Sequence, residues 1–181
     1  MLKHYHVKNM KRTGGNVMAK KTIFIMSSTF GKGYASTLRD LLNSKLGNAG
    51  YIARCWFDQE IFEPTNVTIK SLSELFDTLS KQGGYAIAMM TPDYETVIKN
   101  GKATLASDNV IFELGMAVAQ LGLSHSIVVK PDLENFHMLT DLDGVTYLKY
   151  KYSKRLTGTE WLTQALSGTV DVIVNHVKKN T

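Results

Sequence analysis

Cysteine, proline and long apolar runs are scarce in this sequence. Cys55 is the one cysteine among 181 residues, so the chain can form neither an internal disulfide nor a cysteine-rich metal site. Three prolines and the lack of a biased tract argue against extended disorder. No stretch approaches the roughly 20 apolar residues of a membrane helix, and the amino-terminal segment lacks the apolar core of a secretory signal. We therefore expect a globular cytoplasmic protein with no membrane partner.

Acidic residues are missing from the first 21 positions, and this explains the formal net charge of +5. The other 15 basic and 16 acidic residues nearly cancel, so the folded part should carry no basic patch of the kind that holds nucleic acid. We expect residues 1–20 to be a basic, flexible leader and residues 21–181 to form a single domain. The six basic residues of the first 21 positions are Lys3, Lys8, Lys11, Arg12, Lys20 and Lys21.

Short apolar runs alternate with amphipathic segments along the rest of the chain. Strands are predicted at residues 22–28, 51–57, 85–90, 126–130 and 145–148, and helices at 34–46, 67–81, 108–121 and 160–178. This alternation predicts an α/β fold with about five parallel strands and helices on both faces. We expect the polar segment 94–107 to be irregular and mobile, and residues 131–143 to form a long loop with at most one helical turn.

The helix predicted to begin at Asp108 carries the most informative residue, Glu113. In a parallel sheet, ligands bind at the carboxyl ends of the strands, and this helix starts at that edge. Glu113 interrupts an otherwise apolar face, so burial should raise its pKa while the helix amino end lowers it. The alternative is a structural glutamate that forms a salt bridge or a cap. Asp108 is expected to cap the helix, and Gly115 to mark close packing against the sheet or a ligand.

Two loops at the same edge offer groups that suit a nucleotide. Residues 27–33 provide hydroxyls, backbone amides and a lysine, which is either a phosphate cradle or an ordinary turn, since no Walker or GxGxxG spacing is present. The loop at 58–66 follows Trp56 and Phe57, which suits stacking of a base and binding of a ribose hydroxyl, or equally a core with a turn aspartate. No histidine pair has the spacing of metal ligands, so no metal is expected.

Four segments resemble, in the same order, the bacterial TIR-like predicted nucleotide-binding domains. They are KTIFIMSS at 21–28, MTPD at 90–93, SDNVIFELG at 107–115 and TDLDGVTYL at 140–148, and the likeness covers about residues 20–178. The resemblance implies a flavodoxin-like TIR fold with its catalytic glutamate at Glu113. It implies nucleotide contacts at Ser27 and Ser28, at Asp58 and the loop after it, and at the segment from Thr91 to Asp93. The candidate binding residues are Ser27, Ser28, Thr29, Asp58, Phe62, Thr91, Asp93, Asp108 and Asn109.

The resemblance further implies a function in bacterial antiphage defence. Members that act as effectors cleave NAD at the nicotinamide-ribose bond when a cyclic-nucleotide sensor assembles them, so NAD is expected as a substrate and no cofactor is needed. Because this sequence contains no segment long enough for that sensor, we expect the domain to be triggered by a separate sensor protein or by self-assembly, or not to be triggered at all. We also expect homo-oligomerisation through TIR–TIR contacts around residues 58–66. Unlike many relatives, which have proline and arginine before the Asp-Asn pair, this chain has Ala106 and Ser107.

Two other functions remain compatible with these residues. One is a non-catalytic nucleotide-binding or TIR scaffold module, which would hold a nucleotide without turning it over. The other follows from a likeness of the 108–117 helix to the DxxxxELGxA element of nucleoside deoxyribosyltransferases. An enzyme of that kind would form a glycosyl ester on Glu113 and would need a second nucleobase as acceptor.

Overall fold

The fold was analysed on a computed structural model, which describes residues 20–58, 69–98, 101–138 and 144–180. Five parallel strands form the main sheet in the order β2-β1-β3-β6-β8, and this order is that of flavodoxin-like domains. The expected α/β architecture is therefore confirmed. The strands of this sheet are β1 (Lys21–Ser27), β2 (Tyr51–Cys55), β3 (Tyr85–Met89), β6 (Ser126–Pro131) and β8 (Thr146–Tyr150).

Helices cover both faces of the sheet because successive strand residues point to opposite sides. In β1, Ile23 and Ile25 pack with the first and last helices, whereas Phe24 and Met26 pack with the two middle helices. The two cores are separate layers of a three-layer sandwich. The helices are α1 (Lys32–Leu46) and α4 (Thr159–Lys179) on one face, and α2 (Ile69–Gln82) and α3 (Asp108–Leu121) on the other.

A second, three-stranded sheet lies in the region where the sequence predicts irregular chain. Strands β4 (Tyr94–Ile98) and β5 (Gly101–Leu105) pair antiparallel, and β7 (Phe136–His137) pairs with β5. The expectation of an irregular segment at 94–107 is therefore wrong. Its strand formers, such as Thr96 and Val97, pair with β5, but every residue of β4 is at least partly exposed. A strand without a buried face has no apolar alternation for sequence reasoning to detect.

Some smaller expectations change at element ends. The N-cap of α3 is Ser107, in extended backbone, and Asp108 is the first residue inside the helix. Residues 131–143 contain β7 rather than a helical turn where they are described. Residues 1–19 of the predicted leader, residues 59–68 and residues 139–143 lie outside the described part of the chain. The leader and the extent of the domain therefore remain predictions.

Candidate functional site

A cleft of about 650 Å³ opens at the carboxyl ends of β1 and β3. Between these strands the chain order of the sheet reverses, and ligands of flavodoxin-like domains bind at this switch point. The lining comes from the end of β1 and the turn after it, the start of α2, the segment after β3 and the first turns of α3. The lining residues are Ser27, Ser28, Thr29, Phe30, Trp56, Ile69, Leu72, Asp93, Tyr94, Ser107, Asn109, Val110, Phe112 and Glu113.

Glu113 lines this cleft from the second turn of α3. It lies beside the buried stripe formed by Val110, Leu114 and Ala117, because residues three and four apart share one side of a helix. Burial raises the pKa of Glu113 to about 7 from its ordinary value of 4.5. No lysine, arginine or histidine within the described ranges forms an ion pair with it. Glu113 is thus a half-buried carboxyl group with no neutralising partner in the part of the chain that the structure describes.

The amino end of α3 brings two further residues to the cleft. Ser107 is 8% exposed and lines the cleft, and its side chain makes no capping hydrogen bond. Asn109 also lines the cleft, whereas Asp108 is exposed and is not part of the lining. The helix begins here because the backbone of Ser107 is extended and its carbonyl accepts the first helical hydrogen bond, from the amide of Ile111 at 3.2 Å.

Hydrogen bonds join the loop after β1 to the loop after β3. The Ser28 and Thr91 hydroxyl oxygens lie 3.1 Å apart, and Thr91 donates to Asp93 Oδ1 at 2.5 Å. Thr91 is 2% exposed and does not line the cleft itself, whereas Asp93 does. The structure therefore brings Ser28, Thr91 and Asp93 together, as the topology predicts, but gives only Ser28 and Asp93 direct access to a ligand.

The aromatic ring of Trp56 forms one wall of the cleft. Its Nε1 donates to Ser27 Oγ at 3.1 Å, which links the end of β2 to the end of β1. The Lys32 ammonium group lies 5.0 Å from the centre of this ring and 5.4 Å from that of Phe57. These contacts hold the indole beside Ser27 and Ser28.

Asp58 lies outside the cleft lining in the described structure. Its Oδ1 accepts a hydrogen bond of 2.7 Å from Arg39, and its Oδ2 accepts one of 2.8 Å from the backbone amide of Cys55. The role of Asp58 in binding a ribose stays a prediction, and so does that of Phe62, which falls outside the described residues. Cys55 is buried, and burial raises the pKa of its thiol to about 12.

Three aromatic residues at the mouth of the cleft escape the sequence analysis. Phe30, Tyr94 and Phe112 are 73%, 54% and 53% exposed, respectively, although each of them lines the cleft. Exposed aromatic residues that are grouped beside a cleft mark a candidate surface for a ligand or partner. The sequence does carry a signal for Phe112, since this aromatic residue lies outside the apolar stripe of α3 and is therefore predicted to be exposed. Phe30 and Tyr94 lie in a turn and at a strand edge, where no periodic pattern identifies them.

Two kinds of feature are missing from the described ranges. No group of three or more histidine, cysteine, aspartate or glutamate side chains there is arranged to hold a metal ion. No helix among the same residues has both the length and the apolar character needed to cross a membrane.

Comparison with known proteins identifies similar sequences. Residues 22–152 match the family model described as CAP12/Pycsar effector protein, TIR domain. The chain is 28% identical to the Pycsar effector protein PaPycTIR of Pseudomonas aeruginosa over 62% of its own length and 35% of the relative's. It is 28% identical to BcPycTIR of Burkholderia cepacia over 75% of its length and 42% of the relative's.

A further relative extends the match along the chain. The CD-NTase-associated protein 12 of a Lachnospiraceae bacterium is 23% identical over 89% of this chain and 47% of the relative. The chain thus spans less than half the length of these curated relatives.

Proposed function

Because the chain belongs to the family of CAP12/Pycsar effector TIR domains, we propose that it is an NAD nucleosidase acting in bacterial antiphage defence. It would cleave the N-glycosidic bond of NAD and release nicotinamide and ADP-ribose. The position of Glu113 carries this proposal. A carboxyl group inside a cleft at the switch point, with no neutralising partner in the described chain, is suited to stabilise a developing positive charge.

The chemistry needs one carboxylate because the leaving group is already activated. The nicotinamide ring of NAD is cationic, so the bond between its nitrogen and C1′ of the ribose breaks with both electrons passing to the nitrogen. Neutral nicotinamide leaves without a general acid. The ribose gains oxocarbenium character, which the ionised Glu113 stabilises as carboxylates do in glycoside hydrolysis. Water then adds to C1′ and loses a proton, which gives ADP-ribose.

Burial sets Glu113 between its two protonation states near neutral pH. A pKa of about 7 in the free protein means that a proton competes with the substrate for this carboxylate. A cationic ring bound nearby favours the ionised form, since opposite charges a few ångströms apart lower the pKa of a carboxyl group. The substrate therefore promotes the ionised state that the reaction requires.

The aromatic residues of the cleft support a substrate with flat rings. Trp56 offers one ring in the wall, and Phe30, Tyr94 and Phe112 offer three more at the mouth. Stacking on such rings is tolerant of base identity, and each stacked pair contributes about 1–3 kcal/mol. A dinucleotide can use these surfaces for both of its bases.

Assembly and triggering belong to the same proposal. The relatives are effector proteins by name, and one is named as associated with a CD-NTase, so we propose that a cyclic-nucleotide sensor triggers this domain in the cytoplasm. We further propose that several copies assemble through TIR–TIR contacts when it is active. The loop expected to mediate these contacts spans residues 58–66, of which 59–66 lie outside the described chain.

The test is release of nicotinamide from NAD by concentrated protein, with the assembly state measured by light scattering. Wild type and Glu134→Gln should form product, because Glu134 is exposed and does not line the cleft. Glu113→Gln should form none while its circular dichroism stays unchanged. Product from Glu113→Gln would refute the assigned role of this residue.

Two other outcomes would redirect the proposal. A multimeric wild type that binds NAD without product would favour the non-catalytic binding module. A covalent sugar adduct on Glu113 in intact-mass spectra would favour the deoxyribosyltransferase-like route.

A further inference from the structure

The described lining of the cleft carries charge of one sign. Its charged members are the carboxylates of Asp93 and Glu113, and no lysine, arginine or histidine of the described ranges is part of it. Lys32 lies over the Trp56 ring but does not itself line the cleft. In a concave site, such a pair of carboxylates attracts a cation and repels an anion.

The hydrogens of the Ser28–Thr91–Asp93 cluster can be assigned by counting donors. Thr91 has one hydroxyl hydrogen and donates it to Asp93 Oδ1 at 2.5 Å. The 3.1 Å contact between the two hydroxyls must therefore use the hydrogen of Ser28. Ser28 Oγ in turn accepts from the amide of Gly31 at 3.1 Å. The chain of hydrogen bonds runs in one direction, from Gly31 through Ser28 and Thr91 to Asp93.

This direction decides which groups remain free for a ligand. The hydroxyl groups of Ser28 and Thr91 each donate their one hydrogen within this series of hydrogen bonds. Neither hydroxyl can therefore donate to a substrate while these hydrogen bonds are intact. Asp93 Oδ1 is occupied, whereas Asp93 Oδ2 has no hydrogen-bond partner among the residues that the structure describes. Asp93 is therefore the member of this cluster that offers a substrate an unused charged atom.

The backbone around Asp93 is held from two sides. The Asp93 amide donates to the carbonyl oxygens of Leu105, at 2.9 Å, and of Thr91, at 3.0 Å. The Met90 carbonyl accepts from the buried hydroxyl of Tyr150 at 2.9 Å. A carboxylate fixed by its neighbours exerts its charge at one place, and fixed charges discriminate between ligands better than mobile ones.

We propose that Asp93, positioned by Ser28 and Thr91, makes the site select a cationic ring with a neutral substituent over a ring that carries a carboxylate. This proposal rests on the proposed function, because it assumes that the ligand of the cleft is a pyridinium dinucleotide. Nicotinamide satisfies the requirement, because its side group is an uncharged amide. Nicotinic acid does not, because its carboxylate would be repelled by the carboxylates of Asp93 and Glu113.

Calorimetry with two ligands tests this selectivity directly. NAD and nicotinic acid adenine dinucleotide differ only in that amide and carboxylate, and both are titrated into Glu113→Gln protein so that neither is consumed. NAD should bind about tenfold more tightly. Adding Asp93→Asn should bring the two affinities to within about twofold, since asparagine can still accept from Thr91 but carries no charge.

The positioning role of Thr91 needs its own pair of variants. In the same Glu113→Gln protein, Thr91→Val removes the donor to Asp93 with little change in shape and should reduce the ratio of the two affinities to about threefold. Thr91→Ser keeps the donor and should restore the ratio. If Thr91 had a merely structural role, Thr91→Val would weaken the binding of both ligands equally and leave the ratio of their affinities unchanged. That result would overturn the positioning argument.

The outcomes separate this proposal from the proposed function. Nicotinamide release by wild type together with equal affinities for both ligands would overturn the role of Asp93 and leave hydrolysis standing. Selective binding by the Glu113→Gln protein, with no product from a multimeric wild type, would support Asp93 and overturn hydrolysis. Failure of both ligands, or of NAD alone, to bind at millimolar concentration would overturn the role of Asp93.

Discussion

The hydroxyl of Tyr150, at the end of β8, donates a hydrogen bond of 2.9 Å to the carbonyl of Met90, directly after β3. Tyr150 is 2% exposed, and burial raises the pKa of its hydroxyl, so the group stays protonated and keeps donating across the whole working range of pH. The bond links two strands that are not neighbours in the sheet, because β6 lies between them. It thereby fixes the point from which the loop bearing Thr91 and Asp93 leaves the sheet.

Tyr150→Phe should therefore lower stability and loosen this loop. Losing one buried hydrogen bond is expected to reduce the free energy of unfolding by about 1–2 kcal/mol, measured by urea denaturation. For an active protein the KM for NAD should rise more than kcat falls, because the loop binds substrate rather than reacting with it. Tyr147→Phe is a suitable control, since Tyr147 is 39% exposed. A kcat loss with unchanged KM would contradict this account.

The pKa of Glu113 predicts how activity depends on pH. With a pKa of about 7 in the free protein, the carboxylate required for catalysis is protonated at lower pH. The kcat/KM for NAD, which reports the free protein, should fall about tenfold for each pH unit below 7 and level off above it. Initial rates of nicotinamide release between pH 5 and pH 9 measure this profile. A flat profile through pH 7 would show that Glu113 does not act as a carboxylate.

Glu113→Gln should stabilise the fold at high pH. Since burial raises the pKa of Glu113 from 4.5 to about 7, the folded protein binds this proton more tightly than the unfolded chain. Wild type then loses stability as the pH rises from about 4.5 through 7, and glutamine does not ionise. Because the cleft is open to water, we expect a gain of only about 1–2 kcal/mol at pH 8.

This gain should shrink as the pH falls towards 5. Chemical denaturation at both pH values measures it, with Glu134→Gln as the control because Glu134 is exposed. An equal effect of Glu113→Gln at pH 5 and pH 8 would rule out ionisation as its cause.

Gly115→Ala should also stabilise the protein. The sequence predicts that Gly115 packs closely against the sheet or a ligand. Packing against the sheet is wrong for the described structure, where Gly115 is exposed and a Cβ atom would meet nothing within 4 Å, whereas packing against a ligand stays a prediction. Alanine in the middle of an exposed helix is favoured over glycine by about 1 kcal/mol. Thermal unfolding should therefore shift upward.

The contrasting variant is Gly144→Ala. Gly144 has a φ of +94°, and a Cβ there would lie 3.0 Å from Leu123 Cδ1, so this change should destabilise. If Gly115→Ala instead lowered activity without lowering stability, the glycine would serve a ligand or an assembled partner.

The strength of the local pattern decided how well each element could be predicted. The strands of the main sheet are apolar runs, and α3 has an apolar stripe interrupted by Glu113, so periodicity alone located them. The β4–β5 hairpin escaped because its exposed strand presents no buried face. The hairpin matters for the site, since Tyr94 and Asp93 lie at its start.

The candidate site shows the same division between local and distant causes. Parallel topology brings the loops after β1 and β3 together, so Ser28, Asp93 and Glu113 were expected near one another. The hydrogen bonds that Asp58 accepts from Arg39 and from the Cys55 amide were not predicted. Arg39 lies on α1 and comes close to Asp58 only once this helix has packed against the sheet.

The sequence by itself indicated the family through the resemblance of four motifs. It also indicated the parallel sheet and the helix that carries Glu113, because these depend on residue types at short, regular spacings. Only the tertiary structure decided which groups remain free to act. Ser28 and Thr91 are 63 residues apart, and the direction of their hydrogen bond depends on Asp93 and on the order of the strands. Likewise, the raised pKa of Glu113 comes from burial, which exists only when the cleft has formed.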